Sequence, residues 1–160
     1  MIFVTVGEQL PFDRLISTID DWASKSGVAV YAQIGNTLYR PNFIEYRSSL
    51  GPADFSDAFK TAELIIGHAG MGTIITALEL NKPLLIMPRK ASLGEHRNDH
   101  QFATAKRFIA RGNISVAFDE IELLAKLQCL DEIKKIACNI GDVIPPHNLI
   151  DKIKSFILEI

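Results

Sequence analysis

The chain has 160 residues, of which 48% are hydrophobic and 22% are charged, and its formal net charge at pH 7 is −2. This length and composition are typical of one globular domain with its own core. The charge balance lacks the basic excess that nucleic-acid-binding domains carry.

The two cysteines and the first residues exclude further classes of protein. Cys129 and Cys138 are too few and too loosely spaced for a zinc ribbon or a disulfide framework, so we expect reduced thiols in the core of a cytosolic protein. The opening MIFVTVGEQ has no basic segment and is not typical of a signal peptide. No apolar run approaches the ~18 residues that a membrane-spanning helix needs. We expect a soluble chain, which leaves docking on a membrane-bound partner open.

Six short apolar runs, several of them rich in β-branched residues, predict strands. They cover residues 2–7, 28–35, 43–48, 63–68, 83–88 and 114–118. Segments with helical spacing or helix start signals lie between most of these runs. The predicted helices cover residues 11–27 with Gly27 as the stop, 54–62 with Asp54 near the cap, 71–80, 98–110 with a stop at Gly112, and 119–127 with Asp119 as the cap. Two more helical pieces end the chain.

Apolar strands that alternate with helices indicate a mostly parallel sheet covered on both faces. The predicted fold class is therefore α/β, with a Rossmann-like, doubly wound, six-stranded sheet. We expect residues 1–160 to form a single domain. Within it, residues 145–160 form a terminal helix that packs on the domain or reaches a neighbour.

Three of the predicted strands end in residues suited to binding a ligand. In parallel sheets, ligands bind outside the carboxyl ends of the strands. The first strand runs into Gly7, Glu8 and Gln9, the fourth into residues 67–70, and the fifth into residues 87–88. All three ends must share one rim of the sheet.

Gly70 and Gly72 bracket the start of the predicted helix 71–80. One interpretation is a diphosphate site, because glycine lets the backbone approach a ligand and a helix start favours an anion; Thr73 would add a hydroxyl. The other is that a tight strand-to-helix turn needs glycine. No Gly-Lys-Ser/Thr follows, so this is not a Walker loop. The glycines follow the fourth strand, unlike those of the dinucleotide fingerprint.

A polar cluster, residues 98–101, opens the next helix on the same rim. Its Asn, Asp, His and Gln side chains suit the neutral hydroxyls of a sugar, or they form an ordinary helix cap. His96 and His100 are four residues apart, as in some metal sites, with His68 or a carboxylate as a third ligand. The surrounding GEHRNDH is not a His-Glu-x-x-His motif, and we expect no metal.

The sequence resembles a known family at this point. The segments IFVTVGEQLPFDRLI, AELIIGHAGMGTIITALELNKPLLIMPR and NDHQ.ATA are similar to the donor-binding C-terminal half of the family 28 glycosyltransferases. The similarity is nearest to the stand-alone form of that half, the Alg13-like and PssE-like subunits of two-component glycosyltransferases. It covers about residues 1–118. The GxQLPFDRLI opening favours the PssE-like type of bacterial polysaccharide synthesis.

The resemblance implies one half of a GT-B fold, which binds a UDP-sugar without metal or cofactor. The acceptor half would be a separate, membrane-anchored Alg14-like or PssD-like protein. The acceptor would be a polyprenyl-diphosphate-linked sugar. We therefore expect a cytoplasmic chain that its partner recruits to the cytoplasmic face of the membrane. Whether it forms a homo-oligomer alone stays open.

The resemblance also implies roles for particular residues. The first glycine loop faces the phosphates and comprises Gly7, Glu8 and Gln9. The second loop holds the diphosphate at its helix start and comprises His68, Ala69, Gly70, Met71, Gly72 and Thr73. The donor sugar is faced by Asp99, His100 and Gln101, and the nucleobase lies near Phe55.

Two positions depart from the family pattern. Glu8 stands where Thr or Ser is common, and a carboxylate beside a diphosphate repels it unless it points away or meets the partner. Thr76 stands where a Glu often holds the ribose hydroxyls, and Glu79, one turn along, is a possible substitute.

The implied reaction is an attack by an acceptor hydroxyl on the anomeric carbon, with inversion. Helix N–H groups and a cation such as Arg89 would stabilise the leaving diphosphate. In the family the general base lies on the acceptor half, so His68 and Glu8 are only local candidates. Arg89, Lys90, His96 and Arg97 make the loop positive, which favours an acidic sugar such as glucuronic acid.

Two other functions remain open. The chain could be a non-catalytic nucleotide-sugar-binding regulatory subunit, or a stand-alone epimerase or hydrolase, although it has half the length of a GT-B epimerase.

Overall fold

The computed structural model describes residues 1–111 and 114–137 of the chain. The strands are β1 (Ile2–Thr5), β2 (Val30–Gln33), β3 (Glu45–Arg47), β4 (Leu64–His68), β5 (Leu84–Met87) and β6 (Ser115–Val116). The helices are α1 (Asp13–Ser26), α2 (Pro52–Thr61), α3 (Met71–Glu79), α4 (His100–Arg111), α5 (Glu120–Leu127) and α6 (Leu130–Ala137), and a short 3-10 helix, Ala91–Leu93, precedes α4.

The six strands form one parallel sheet in the order β3-β2-β1-β4-β5-β6. Thr5 at the end of β1 lies opposite Gln33 of β2 on one side and Gly67 of β4 on the other. The chain builds outward from β1 to β3, then returns to the other side of β1 with β4. This reversal opens a crevice at the carboxyl ends of β1 and β4, where ligands of such sheets bind.

Two apolar clusters cover the two faces of the sheet. Successive side chains of a strand point to opposite faces, so Ile2 and Val4 belong to one cluster and Phe3 to the other. Helices α1, α5 and α6 pack on the first face, whereas α2, α3 and α4 pack on the second. The sheet is therefore buried on both sides, as its continuous apolar strands predicted.

Most predicted helix ends are confirmed. Gly27 ends α1 in the left-handed conformation at φ 66°, and Asp119 caps α5 by accepting a hydrogen bond from the N–H of Glu122. α2 begins at Pro52, two residues earlier than predicted, and its N-cap is Gly51; Asp54 lies in the first turn, near the cap as predicted. Gly112 lies outside the described residues, as does the predicted terminal helix.

Several boundaries are shorter than predicted. Each predicted strand exists, but the second narrows from residues 28–35 to Val30–Gln33. The helix predicted from residue 98 begins at His100, because Asn98 and Asp99 belong to the preceding loop. Cys129 is exposed, so its predicted place in the core is wrong; Cys138 lies outside the described residues. Within the two described ranges no helix is long and apolar enough to cross a membrane.

Candidate functional site

A cleft of about 450 Å³ opens over the carboxyl ends of β1, β2 and β4, at the crevice where the strand order reverses. Its lining residues are Thr5, Gly7, Glu8, Gln33, Leu50, Pro52, Phe55, His68, Gly72, Thr73 and Thr76. One larger hollow, of about 510 Å³, lies between α1 and α5, and two others, of about 480 and 700 Å³, lie beside β3. None of the three reaches a glycine loop, so the rim cleft is the candidate site.

The cleft changes character along the rim. Leu50, Pro52 and Phe55, which follow β3, form an apolar wall at one end. The ring of Phe55 packs edge-on against Phe3 in the core. The residues that follow β4, together with the start of α3, form the opposite end. A ligand with a flat apolar part and an anionic part matches this order.

The start of α3 is open to the cleft. Gly70 precedes the helix without a side-chain capping hydrogen bond, and the first turn carries no acidic residue. A β-carbon added to Gly72 would meet no atom within 4 Å. Backbone N–H groups in the first turn of a helix lack intrahelical partners, and the helix dipole favours an anion there. This end of the cleft is therefore suited to a phosphate group.

The imidazole of His68 lies between the two glycine loops. A β-carbon at Gly70 would lie 2.1 Å from its Nε2, and one at Gly7 would lie 2.9 Å from its Cε1. Gly7 also has φ 72°, which disfavours other residues. The two interpretations of the second loop thus divide between its glycines: Gly70 makes room for the histidine, and Gly72 leaves room for a ligand.

His68 is held in its neutral form. Burial lowers its pKa to about 4, and the positive charge of Arg89 adds to the effect. The backbone of Thr5 opposes this shift, but Nδ1 has no hydrogen-bond partner among the described residues. At neutral pH the ring carries no charge to attract a diphosphate, and a group with this pKa is a weak general base.

Arg89 is buried, with 2% of its surface exposed. Its two terminal nitrogens donate to four backbone carbonyls, those of Val6, Leu10, Pro11 and Glu95, at 2.6–3.1 Å. The guanidinium carbon lies 4.9 Å from the centre of the Phe12 ring, and burial lowers the pKa of Arg89 to about 10. The side chain ties the loop after β1 to the loop after β5. It does not line the cleft, and its role beside the leaving group stays a prediction.

The element formed by Asp99, His100 and Gln101 lies on the same rim, next to β5, but outside the cleft lining. Gln101 is buried, and its Oε1 accepts a hydrogen bond from the backbone N–H of Arg89 at 3.1 Å. Asp99 accepts one from the N–H of Ala91 at 2.9 Å. The ring of His100 is exposed and bonds the side chain of Asn98. Other predicted residues outside the lining are Gln9, Ala69, Gly70, Met71 and Glu79.

An ion pair that the sequence does not reveal fixes the loop after β5. Arg14 of α1 binds both carboxylate oxygens of Glu95, at 2.7 and 2.8 Å. Glu95 also accepts a hydrogen bond from the N–H of Lys90 at 2.7 Å. Arg14 and Glu95 are 81 residues apart, so no local pattern could pair them. Thr5 and Gln33 in the cleft were also missed, although a polar residue in an apolar strand is a usable signal.

The histidine pair considered for a metal does meet. The rings of His96 and His100 lie edge-to-face, with centroids 4.6 Å apart. However, no group of three or more His, Cys, Asp or Glu side chains suited to a metal occurs in residues 1–111 and 114–137. The independence of the reaction from metal stays a prediction.

The sequence is similar to that of known glycosyltransferase proteins. Residues 1–135 match the family described as Glycosyltransferase family 28 C-terminal domain. The UDP-N-acetylglucosamine transferase subunit ALG13 of Eremothecium gossypii is 35% identical over 65 residues, which are 41% of this chain and 30% of that protein. The chain therefore matches less than a third of the length of this relative.

Solved glycosyltransferase structures share the fold. MurG of Acinetobacter baumannii superposes with a TM-score of 0.67 at 17% identity, over 96% of this chain and 49% of its own. The solution structure of ALG13 gives a TM-score of 0.57 at 20% identity, over 79% of this chain and 83% of its own. These similarities confirm the predicted fold, the C-terminal half of a GT-B structure. From the match over residues 1–135, the chain belongs to the glycosyltransferase family 28 C-terminal domain family.

Proposed function

We propose that this chain is the UDP-sugar-binding catalytic subunit of a two-component inverting glycosyltransferase. The observation that carries the proposal is the rim cleft, which joins an apolar wall with Phe55 to the uncapped start of α3. The nucleobase lies against that wall and the diphosphate lies at Gly72 and Thr73. The donor sugar extends towards β5, where Asp99, His100 and Gln101 occupy the same rim. The name of the ALG13 relative as a UDP-N-acetylglucosamine transferase subunit supports this assignment.

In this proposal, groups of this chain stabilise the leaving group, UDP. As the acceptor hydroxyl attacks the anomeric carbon, the bond from that carbon to the diphosphate oxygen breaks and UDP leaves. The N–H groups at the start of α3 stabilise the charge that develops on the diphosphate. The hydroxyl proton needs a base, and the low pKa of His68 argues against His68 in that role. Glu8 is exposed at the cleft, but we assign the base to the partner subunit.

The partner in this proposal is a membrane-anchored Alg14-like or PssD-like subunit that binds the acceptor. The acceptor is a polyprenyl-diphosphate-linked sugar in bacterial polysaccharide synthesis, and the partner holds this chain at the cytoplasmic face of the membrane. The support is the GxQLPFDRLI opening and the naming of the ALG13 relative as a subunit. The carboxylate of Glu8 then has a role at the interface, since a cation of the partner would offset its repulsion of the diphosphate.

A titration identifies the donor sugar. The full chain, without metal, is titrated by calorimetry with UDP, UDP-glucuronate, UDP-galactose and UDP-N-acetylglucosamine, alone and co-expressed with the acceptor subunit. Binding that strengthens with one sugar supports the donor role and identifies the sugar. Because Arg89 is buried, its charge does not count among the cations of the loop that favour glucuronate. If neither the chain nor the pair binds any of the four, the proposal is wrong.

Transfer to the lipid-linked acceptor separates the two remaining functions. The pair should transfer sugar, and the chain alone should not. Binding without transfer by the pair would favour the non-catalytic regulatory subunit. Full transfer by the chain alone would contradict the assignment of the base to the partner.

A further inference from the structure

The floor of the cleft contains a buried amide, that of Gln33, which takes no part in the reaction proposed above. Gln33 ends β2 with 2% of its surface exposed, beside Thr5, which is 1% exposed. Both residues line the cleft. Two polar side chains at the ends of otherwise apolar strands cost desolvation unless their groups are satisfied. Their hydrogen bonds therefore show which group is left for a ligand.

A short chain of hydrogen bonds fixes the orientation of the amide. The backbone N–H of Gly7 donates to Oγ1 of Thr5 at 3.4 Å, and Oγ1 donates its proton to Oε1 of Gln33 at 2.7 Å. Because the acceptor oxygen of the amide is occupied, the group that remains is the donor, Nε2. Donation along such a chain polarises the amide and strengthens its N–H groups as donors.

Nε2 of Gln33 is the free end of this series of hydrogen bonds. In residues 1–111 and 114–137 no group accepts a hydrogen bond from Nε2, yet the atom is not fully buried. Among the described residues, the one fully enclosed side-chain nitrogen or oxygen without a partner is Nδ1 of His68. The amide therefore opens on the cleft and presents hydrogen-bond donors to whatever binds there.

The strand order indicates which part of a nucleotide it would meet. β2 lies between β1 and β3, and the apolar wall of Leu50, Pro52 and Phe55 follows β3. Gln33 is thus on the side of the cleft next to the wall, whereas the start of α3 is across β1 beside β4. The nearer part of the ligand is the base, and the farther part is the diphosphate.

We infer that Gln33 selects the nucleobase of the donor: its Nε2 donates a hydrogen bond to a carbonyl oxygen of a pyrimidine, and so favours uracil over cytosine. This inference rests on the proposed function, since it assumes that a nucleoside diphosphate occupies the cleft. A carbonyl at position 4 of the pyrimidine accepts this bond. The amino group of cytosine at that position is a donor and leaves Nε2 unpaired, which carries a desolvation cost.

The test is calorimetric titration of the full chain with UDP, CDP and inorganic pyrophosphate. The unmodified chain should bind UDP roughly tenfold more tightly than CDP, the loss expected for one unsatisfied hydrogen bond. Gln33→Met keeps the length and lacks the amide. This variant should lower the affinity for UDP by about tenfold and change the affinity for pyrophosphate by no more than about twofold. Gln128→Met, at the exposed position that follows α5, is the matched control and should change neither affinity.

A second variant tests the orientation rather than the presence of the amide. Thr5→Val keeps the shape but lacks the proton that holds Oε1, so the amide can turn either way. UDP and CDP should then bind with similar affinity, while pyrophosphate is unaffected. Thermal melting verifies that each variant is folded. If Gln33→Met does not fold, the UDP-to-CDP ratios of the unmodified chain and of Thr5→Val still decide.

The outcomes separate this inference from the proposed function. Equal affinity of the unmodified chain for UDP and CDP overturns the role of Gln33 and leaves UDP-sugar binding intact. The role of Gln33 is also overturned if Gln33→Met lowers the affinities for UDP and pyrophosphate equally, because that result indicates a general loss of the cleft. If the unmodified chain binds no nucleotide, alone or with its acceptor subunit, both proposals fail.

Discussion

The imidazole of His68 occupies the space in which a side chain at position 70 would begin, with Nε2 2.1 Å from the β-carbon that an alanine would add. The same carbon at position 72 would meet no atom within 4 Å. Two glycines in one loop therefore serve different ends. One accommodates a neighbouring ring, and the other keeps the start of α3 open.

We expect opposite consequences from alanine at these two positions. Gly70→Ala should lower the free energy of unfolding by about 1–3 kcal/mol, because the methyl group displaces the buried ring. Gly72→Ala should be neutral or stabilising by up to about 1 kcal/mol, because alanine is the better helix former. Its methyl group should nevertheless weaken UDP binding. Urea unfolding and UDP titration check both variants. A Gly70→Ala variant as stable as the unmodified chain would contradict the arrangement.

The low pKa of His68 predicts a dependence of stability on pH. Its pKa is about 4 in the folded chain and about 6.5 when unfolded. Between these values the unfolded chain binds more protons, so stability is full above about pH 6.5 and falls as the pH drops towards 4. At pH 5 the loss from this residue is about 2 kcal/mol.

Comparison of variants isolates this contribution from that of the carboxylates. His68→Gln cannot titrate, so its stability should fall less between pH 7 and pH 5 than that of the unmodified chain. His100→Gln, at an exposed ring, is the control and should follow the unmodified chain. Urea unfolding at the two pH values gives the measurement. Equal falls for all three proteins would show that His68 titrates normally.

The fold was predictable because its signals are local. Continuous apolar runs alternating with helical segments require a parallel sheet buried on both faces, and they do so without knowledge of any contact. Two predictions failed where the tertiary structure overrides a local signal. Asn98 and Asp99 are typical helix-capping residues, and Asp99 stands immediately before α4, yet its carboxylate accepts a hydrogen bond from the N–H of Ala91 in the preceding loop. Cys129 is of a type often buried, but it lies exposed between α5 and α6.

The site was predictable in part. The carboxyl-end rule placed the glycine loops, His68 and Thr73 on one rim, because parallel strands end together. The surroundings of Arg89 were not predictable. Its partners are carbonyls of the loop after β1, about 80 residues earlier, and only the packed sheet brings them together. The local sequence shows only a charged residue in a polar loop, whereas in the structure this side chain ties two loops together.

This tie gives a prediction for Arg89→Lys. An ammonium group lacks the planar fork that spans four carbonyls, so some of these acceptors lose their partners. We expect the free energy of unfolding to fall by about 2–4 kcal/mol. The charge is retained, so a loss cannot be assigned to charge removal. Arg97→Lys, at an exposed position in the same loop, is the matched control. Equal unfolding midpoints for the two variants in urea would mean that the four hydrogen bonds contribute little.

The ion pair between Arg14 and Glu95 holds the loop that carries Lys90. Their side chains are only 11% and 10% exposed, and a two-point hydrogen bond between a guanidinium and a carboxylate is strong where water is largely excluded. A double-mutant cycle with Arg14→Met and Glu95→Gln should give a coupling of about 1–2 kcal/mol. The exposed pair of Glu63 and Lys134 should give a smaller one, because water screens it. Hydrogen exchange adds a local readout: the amide of Lys90, which donates to Glu95, should exchange faster in both single variants. An additive cycle with unchanged exchange would show that the loop keeps its place without this pair.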